Sequence, residues 1–133
     1  MEEIFEEFMG KFIADLESRK GVGDKLEIDR REYDKGHVEY YINYNHRRIL
    51  KFSFSALRHK VYYEKSGGNG HPIYGNENIL YHLDLDELSI EKVYEQIRND
   101  LAYDVQEMIE GYKVEMTYLE GYLLLVGEVD GDH

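Results

Sequence analysis

The chain has no cysteine, no tryptophan and a single proline. Without cysteine there are no disulfides, no thiolate metal sites and no cysteine nucleophile, which fits a reducing cytoplasm. Long apolar runs are missing too, since none approaches the ~20 residues that a helix needs to span a bilayer. The opening Met1-Glu2-Glu3-Ile4 lacks the character of a secretory signal. Catalytic signatures are equally scarce. There is no Gly-x-Ser-x-Gly elbow, no phosphate-binding GxxxxGK[ST] loop and no His-x-x-x-His or His-Glu-x-x-His pair. The expectation is a soluble, cytoplasmic protein without a cofactor and without an enzyme motif.

What the chain does have is charge, and the charge is segregated. The whole carries 16 Lys+Arg against 28 Asp+Glu, a net charge of −12. Residues 1–24 hold 3 cations against 7 carboxylates, residues 25–65 hold 10 against 6, and residues 66–133 hold 3 against 15. A basic middle therefore lies between two acidic ends. The net field opposes nucleic acid and anionic membranes and favours a positively charged partner. Thirteen tyrosines stand against five phenylalanines. Tyrosine suits strands covered on one side, with the ring against a core and the hydroxyl in water.

At 133 residues with 42% apolar content, a single domain spanning 1–133 with a real core is expected, its tail 130–133 frayed. Ile4, Phe5, Phe8, Met9, Phe12, Ile13 and Leu16 recur at helical spacing and predict an amphipathic helix over 2–18, with Glu2, Glu3, Glu6 and Glu7 in its first turns. From Lys25 the period switches to two. Leu26 and Ile28, then Val38, Tyr40, Ile42 and Tyr44, then Leu50, Phe52 and Phe54, then Leu57, His59, Val61 and Tyr63 mark the inward sides of four short strands. Turns are expected at Asp34-Lys35-Gly36 and Asn45-His46, and a loop over Lys65–Pro72. A strand over Ile79–Leu85 follows, and Ser89 caps a helix running to about Glu110. A last hairpin is expected to pair Tyr112–Leu119 with Tyr122–Val129. The fold class is α+β: an antiparallel sheet of about four to seven strands, with the N-terminal helix and a second long helix packed on one side.

Three clusters could carry function. Asp100, Asp104 and Glu107 lie at i, i+4 and i+7 on the second helix, a like-charge spacing that costs a few tenths of a kcal/mol per pair. Together with Asp84, Asp86 and Glu87 they form the candidate surface for a cationic partner. The sheet face away from the helices is expected to carry Arg31, Glu39, Tyr41, Asn43, Lys51, Ser53, Arg58, Lys60 and Tyr62. Basic side chains among aromatics can hold single-stranded nucleic acid, so Arg47, Arg48, Arg58 and Lys60 define a competing nucleic-acid or enzyme site. In such a site His46 with Arg47, Arg48 and a tyrosine would supply acid, base and phosphate clamps. Lastly, His82, Asp84 and Asp86 alternate along a strand, as ligands of a divalent cation can, although a site would need further ligands from elsewhere.

In size, acidity, lack of cysteine and α+β pattern the chain resembles bacterial immunity proteins that neutralise nuclease-type toxins. The resemblance is one of character and no motif carries it. It implies a basic protein partner, either a toxin or another nucleic-acid-processing enzyme, whose cationic surface the acidic residues would occlude. A phage-type inhibitor mimicking nucleic acid would use the same acidity against a host defence enzyme. A homo-oligomer whose basic and acidic faces meet between subunits is a further reading, and it implies salt-sensitive self-association.

Overall fold

A computed structural model describes residues 2–34, 36–57, 60–68, 79–85, 88–109 and 122–127. Side chains are described throughout these except at 2, 66–68, 79–84, 100 and 103–109. The elements run α1 (Glu2–Arg19), β1 (Leu26–Glu32), β2 (His37–Tyr44), β3 (Arg47–Ser55), β4 (Lys60–Gly68), β5 (Ile79–Asp84) and α2 (Ile90–Ile109). A short helix, α3, covers 122–126. The five strands form one sheet in the order β1-β2-β3-β4-β5, every neighbouring pair antiparallel. The fold is α+β, as the alternation and the two long periodic segments imply.

The turns account for this meander. Tyr44 pairs directly with Arg47, leaving Asn45 and His46 as a two-residue loop with φ of 51° and 67°. Positive φ at both positions is the geometry whose twist suits a tight hairpin. At the β1–β2 turn Gly36 has φ 78°, and a Cβ there would lie 2.6 Å from the Ala56 side chain, so only glycine fits. Ser89 accepts the Lys92 backbone N–H at 3.1 Å and caps α2.

All three helices contribute to one core. Phe5, Met9, Phe12 and Leu16 of α1, Val93, Ile97 and Leu101 of α2, and Tyr122, Leu125 and Val126 of α3 are buried together with Val38, Ile42, Phe52, Phe54, Val61 and Tyr63 from the sheet. Rings interlock across the layers: Phe5 stacks on Phe54 at 5.5 Å, and Phe12 meets both Phe52 and Tyr94 at 5.2 Å. Such contacts favour offset or edge-on geometry and add to the area they bury.

Four expectations need correction. The segment 122–126 is helical and not a strand; Tyr122, Leu125 and Val126 are buried at i, i+3 and i+4 while Leu124 is exposed. A short apolar run has no periodicity to separate helix from strand, and its leucines favour helix. The other half of the proposed hairpin, Tyr112–Leu119, lies outside the described residues. Second, β4 begins at Lys60, and Leu57 sits exposed in the preceding turn. Third, strand β4 continues through Lys65–Gly68 where a loop was expected, since glycine lacks only a side chain and keeps its backbone groups. Asn69–Pro72 falls outside the described residues. Fourth, Ile4 is 51% exposed and does not join the α1 core stripe.

Candidate functional site

An acid-rich chain must do something with its carboxylates, and the tyrosines do much of it. Tyr40 donates its hydroxyl to Glu6, Tyr44 to Asp24, Tyr94 to Asp15 at 2.6 Å and Tyr41 to Glu39 at 2.6 Å. A cation attends each pair. Arg30 forks onto Glu6 and lies over the Tyr40 ring. Arg19 bonds Asp15 and lies 4.1 Å from the Tyr94 ring. Lys20 is near Asp24, which Asn45 also bonds. Lys51 reaches Glu39 at 3.2 Å. With fewer cations than anions, phenol O–H groups supply hydrogen bonds that ammonium and guanidinium groups are too few to give.

The acid–base consequences are opposite for the two partners. At Glu6 burial works upward, but Arg30 and Tyr40 outweigh it and hold the carboxyl below its usual range. Burial likewise pulls Glu39 up, and Tyr41 with Lys51 brings it down further. The Tyr94 hydroxyl lowers Asp15, and the Tyr44 hydroxyl lowers Asp24. Burial and the neighbouring carboxylate push Tyr40 and Tyr44 up to about 12 and raise Tyr41 and Tyr94 as well. These hydroxyls stay protonated at neutral pH and serve as donors, not as bases or nucleophiles.

The most elaborate of these clusters lies on the sheet face away from the helices. Register places Arg31, Glu39, Ser53 and Tyr62 in one cross-strand row and Asp29, Tyr41, Lys51 and Glu64 in the next. Tyr41 is 8% exposed although it lies on this face, because cations cover it. The Arg31 and Arg48 guanidinium carbons lie 4.5 and 4.2 Å from its ring centroid. Arg48 gets there through a β-bulge: the ladder passes from Ile42↔Leu50 to Asn43↔Arg48 and skips Ile49. The extra residue turns Ile49 into the core and Arg48 onto the far face, and the Tyr122 hydroxyl satisfies the Ile49 carbonyl. Glu39 also takes the His37 Nε2 at 3.4 Å, and Arg31 is held by Asp29 at 2.9 Å.

Among the described residues, the members of the competing basic site are not brought together. Register sets Arg48 beside Asn43 on the far face, whereas Arg47 stands beside Tyr44, whose side chain is buried with the core. Lys60 pairs with Ser55 at the opposite end of β3 from Arg48, roughly 20 Å away at strand rise. Arg58 is outside the described residues. His46 is exposed at its turn and bonds Glu27 at 2.9 Å, not Arg47 or Arg48. Among the described residues no group of three His, Asp or Glu side chains is placed to hold a metal ion. His82 and Asp84 stand on β5 with side chains outside the description, as is the whole of Asp86.

Of the candidate partner-binding residues, Asp100, Asp104 and Glu107 fall on α2, whose continuous helix keeps their i, i+4, i+7 spacing. Asp84 ends β5, and Glu87 lies outside the described residues. Sequence reasoning missed the tyrosine–carboxylate pairs. Their members lie 20, 34 and 79 residues apart, and only the Glu39–Tyr41 alternation within β2 is a local signal. Among the described residues no helix is long and apolar enough to cross a membrane. Set against protein families, characterised proteins and solved structures, the chain matches none.

Proposed function

We propose that this protein is an acidic protein-binding inhibitor of the immunity or antitoxin type, which neutralises a basic, nuclease-like toxin by covering its cationic surface. One observation carries the proposal: among the described residues, several cations of the basic middle are held by the chain's own carboxylates and by a tyrosine ring. Arg30 is bound by Glu6, Arg31 by Asp29 and Lys51 by Glu39, with Arg31 and Arg48 stacked on Tyr41. The chain carries twelve more Asp and Glu than Lys and Arg side chains. Glu3, Glu7, Glu17, Glu91 and Glu95 are exposed on α1 and α2. An anionic surface of this kind steers onto a basic cleft, speeds association and keeps nucleic acid out of it.

The test is a tagged pull-down from the native host at about 0.15 M salt, with mass spectrometry of what elutes. Recovery of one basic protein near stoichiometry is expected. Recovery of the bait alone, or of a second copy of the chain lost at high salt, would overturn the proposal. With the partner in hand, Asp100→Lys with Asp104→Lys should weaken binding at least about tenfold, as like charges facing a cationic surface cost several kcal/mol. Unchanged affinity would remove that edge of α2 from the interface.

A further inference from the structure

Away from the sheet, the first turns of α1 and the entry to α2 enclose an open groove of about 440 Å³, with Ile4, Phe8, Leu88 and Ile90 as its apolar lining and Glu7 and Glu91 on its walls. That volume lies within the range of sites that take small ligands or a few side chains. Two features set it apart from an ordinary surface dip. Ile4 keeps half its surface in water at the start of a helical stripe whose following residues, Phe5, Phe8 and Met9, are buried. The two lining carboxylates, Glu7 and Glu91, also each have an exposed like charge one turn away on the same helix, Glu3 on α1 and Glu95 on α2, at i, i+4. The helix dipole accounts for carboxylates in a first turn but fades by the second, where Glu7 and Glu95 stand. Among the described lining residues the single cation, Lys11, is tied to Glu7 at 3.4 Å.

We infer that this groove receives a partner segment that presents an apolar side chain next to a lysine or arginine. The apolar side chain would cover Ile4 and Phe8 between Leu88 and Ile90, and the cation would reach Glu91 or displace Lys11 from Glu7. Charge complementarity selects this occupant. An acidic amphipathic segment would meet the carboxylates of Glu7 and Glu91, and a purely basic one would leave the apolar floor wet. The inference rests on the inhibitor proposal for the nature of the partner, but the groove can be tested by itself.

The experiment titrates the full-length, isotope-labelled protein with acetyl-Leu-Arg-amide and follows the NMR signals of Ile4, Phe8, Leu88 and Ile90. Acetyl-Leu-Glu-amide and acetyl-Gly-Arg-amide serve as controls. Saturable shifts confined to the groove are expected with Leu-Arg, and about 5-fold weaker binding with each control, the size of one exposed ion pair or one partly buried side chain. Glu91→Lys should remove the preference for Leu-Arg over Leu-Glu while leaving the remaining spectrum unchanged. No shift in the groove, shifts spread over the surface, or equal binding of Leu-Arg and Leu-Glu would overturn the inference. A silent titration beside a basic partner recovered in the pull-down removes the groove alone. A responsive groove with no basic partner recovered removes the inhibitor proposal instead.

Discussion

The two faces of the sheet are built from the same strands and held by different physics. Toward the helices, Val38, Ile42, Phe52, Phe54, Val61 and Tyr63 are fully buried against phenylalanines, leucines and aliphatics of the helices. Away from them, β2 turns out Glu39 and Tyr41, which are nearly as buried, but beneath Arg31, Arg48, Lys51 and His37. The inner face is stabilised mainly by area removed from water, which is indifferent to pH, and Tyr40 and Tyr44 add protonation-dependent bonds to Glu6 and Asp24. Charge-assisted hydrogen bonds hold the outer face, and those depend on protonation. An acid-rich protein can therefore keep an aromatic-rich polar face ordered without extra cations, at the cost of a stability confined to a pH window.

The comparison breaks most sharply under side-chain deletion. Phe12→Ala removes a ring in contact with Phe8, Phe52 and Tyr94 and should cost ~3–5 kcal/mol in denaturant unfolding. Ser53→Ala, at the middle of the outer face, should stay within about 0.5 kcal/mol. If the two losses were similar, the outer face would carry far more of the stability than its chemistry allows.

Removing single hydroxyls separates the faces further. Tyr41→Phe keeps the ring between its guanidiniums and deletes only the donor to Glu39, so a loss of ~1–2 kcal/mol is expected. Tyr94→Phe, which withdraws the donor to Asp15, should cost a similar amount. Phe52→Leu on the inner face gives the contrast: its cost should not change between pH 7 and pH 4, while that of Tyr41→Phe should shrink.

The pH dependence follows from the sign of the shifts. Glu6, Asp15, Asp24 and Glu39 are all held below their ordinary values, so the folded state binds fewer protons than the unfolded chain at acid pH. Their contribution is complete above the ordinary carboxylate values of 4.5 and 3.8 and is lost as pH falls through them and below. The tyrosines run the other way. Tyr40 and Tyr44, raised from 10.0 to about 12, contribute fully below pH 10 and lose that contribution as pH rises toward 12. Thermal unfolding from pH 3 to 11 should give a dome whose two limbs both flatten when Tyr40 and Tyr44 are replaced by Phe. An acid limb unchanged by these replacements would separate the tyrosines from the carboxylates they face.

How much of this was legible depended on whether the signal was local. The α1 and α2 stripes and the alternation in β2 and β3 were readable because each burial choice repeats within a few residues. The register also put Arg31, Glu39, Tyr41, Asn43, Lys51, Ser53, Lys60 and Tyr62 on the expected face. The bulge at Ile49 was not readable: strict alternation puts Arg48 on the same side as Leu50, and only the slip sends it to Tyr41. The acid excess that motivates the candidate site was plain from composition. Its local compensation was not, since Glu6 finds Arg30, and Asp15 finds Tyr94, only after the helices dock on the sheet.

The smallest expected effect concerns the hairpin joining the two strands that carry most of both faces. His46 sits at φ 67° in the second position of the β2–β3 turn, a left-handed conformation that costs a residue with a Cβ roughly 1 kcal/mol. His46→Gly removes that cost and places Asn-Gly, the pair best suited to this turn, between Tyr44 and Arg47. Against it stand the greater freedom of glycine in the unfolded chain and the loss of an exposed contact to Glu27. A net gain of about 0.5 kcal/mol is expected at pH 8, because the strain is in the backbone, and a smaller one at pH 5, where a protonated imidazole would give up an ion pair with Glu27. No gain at pH 8 would instead assign the turn to the charge network of the outer face, and the division between the two faces would not extend to the hairpin that joins them.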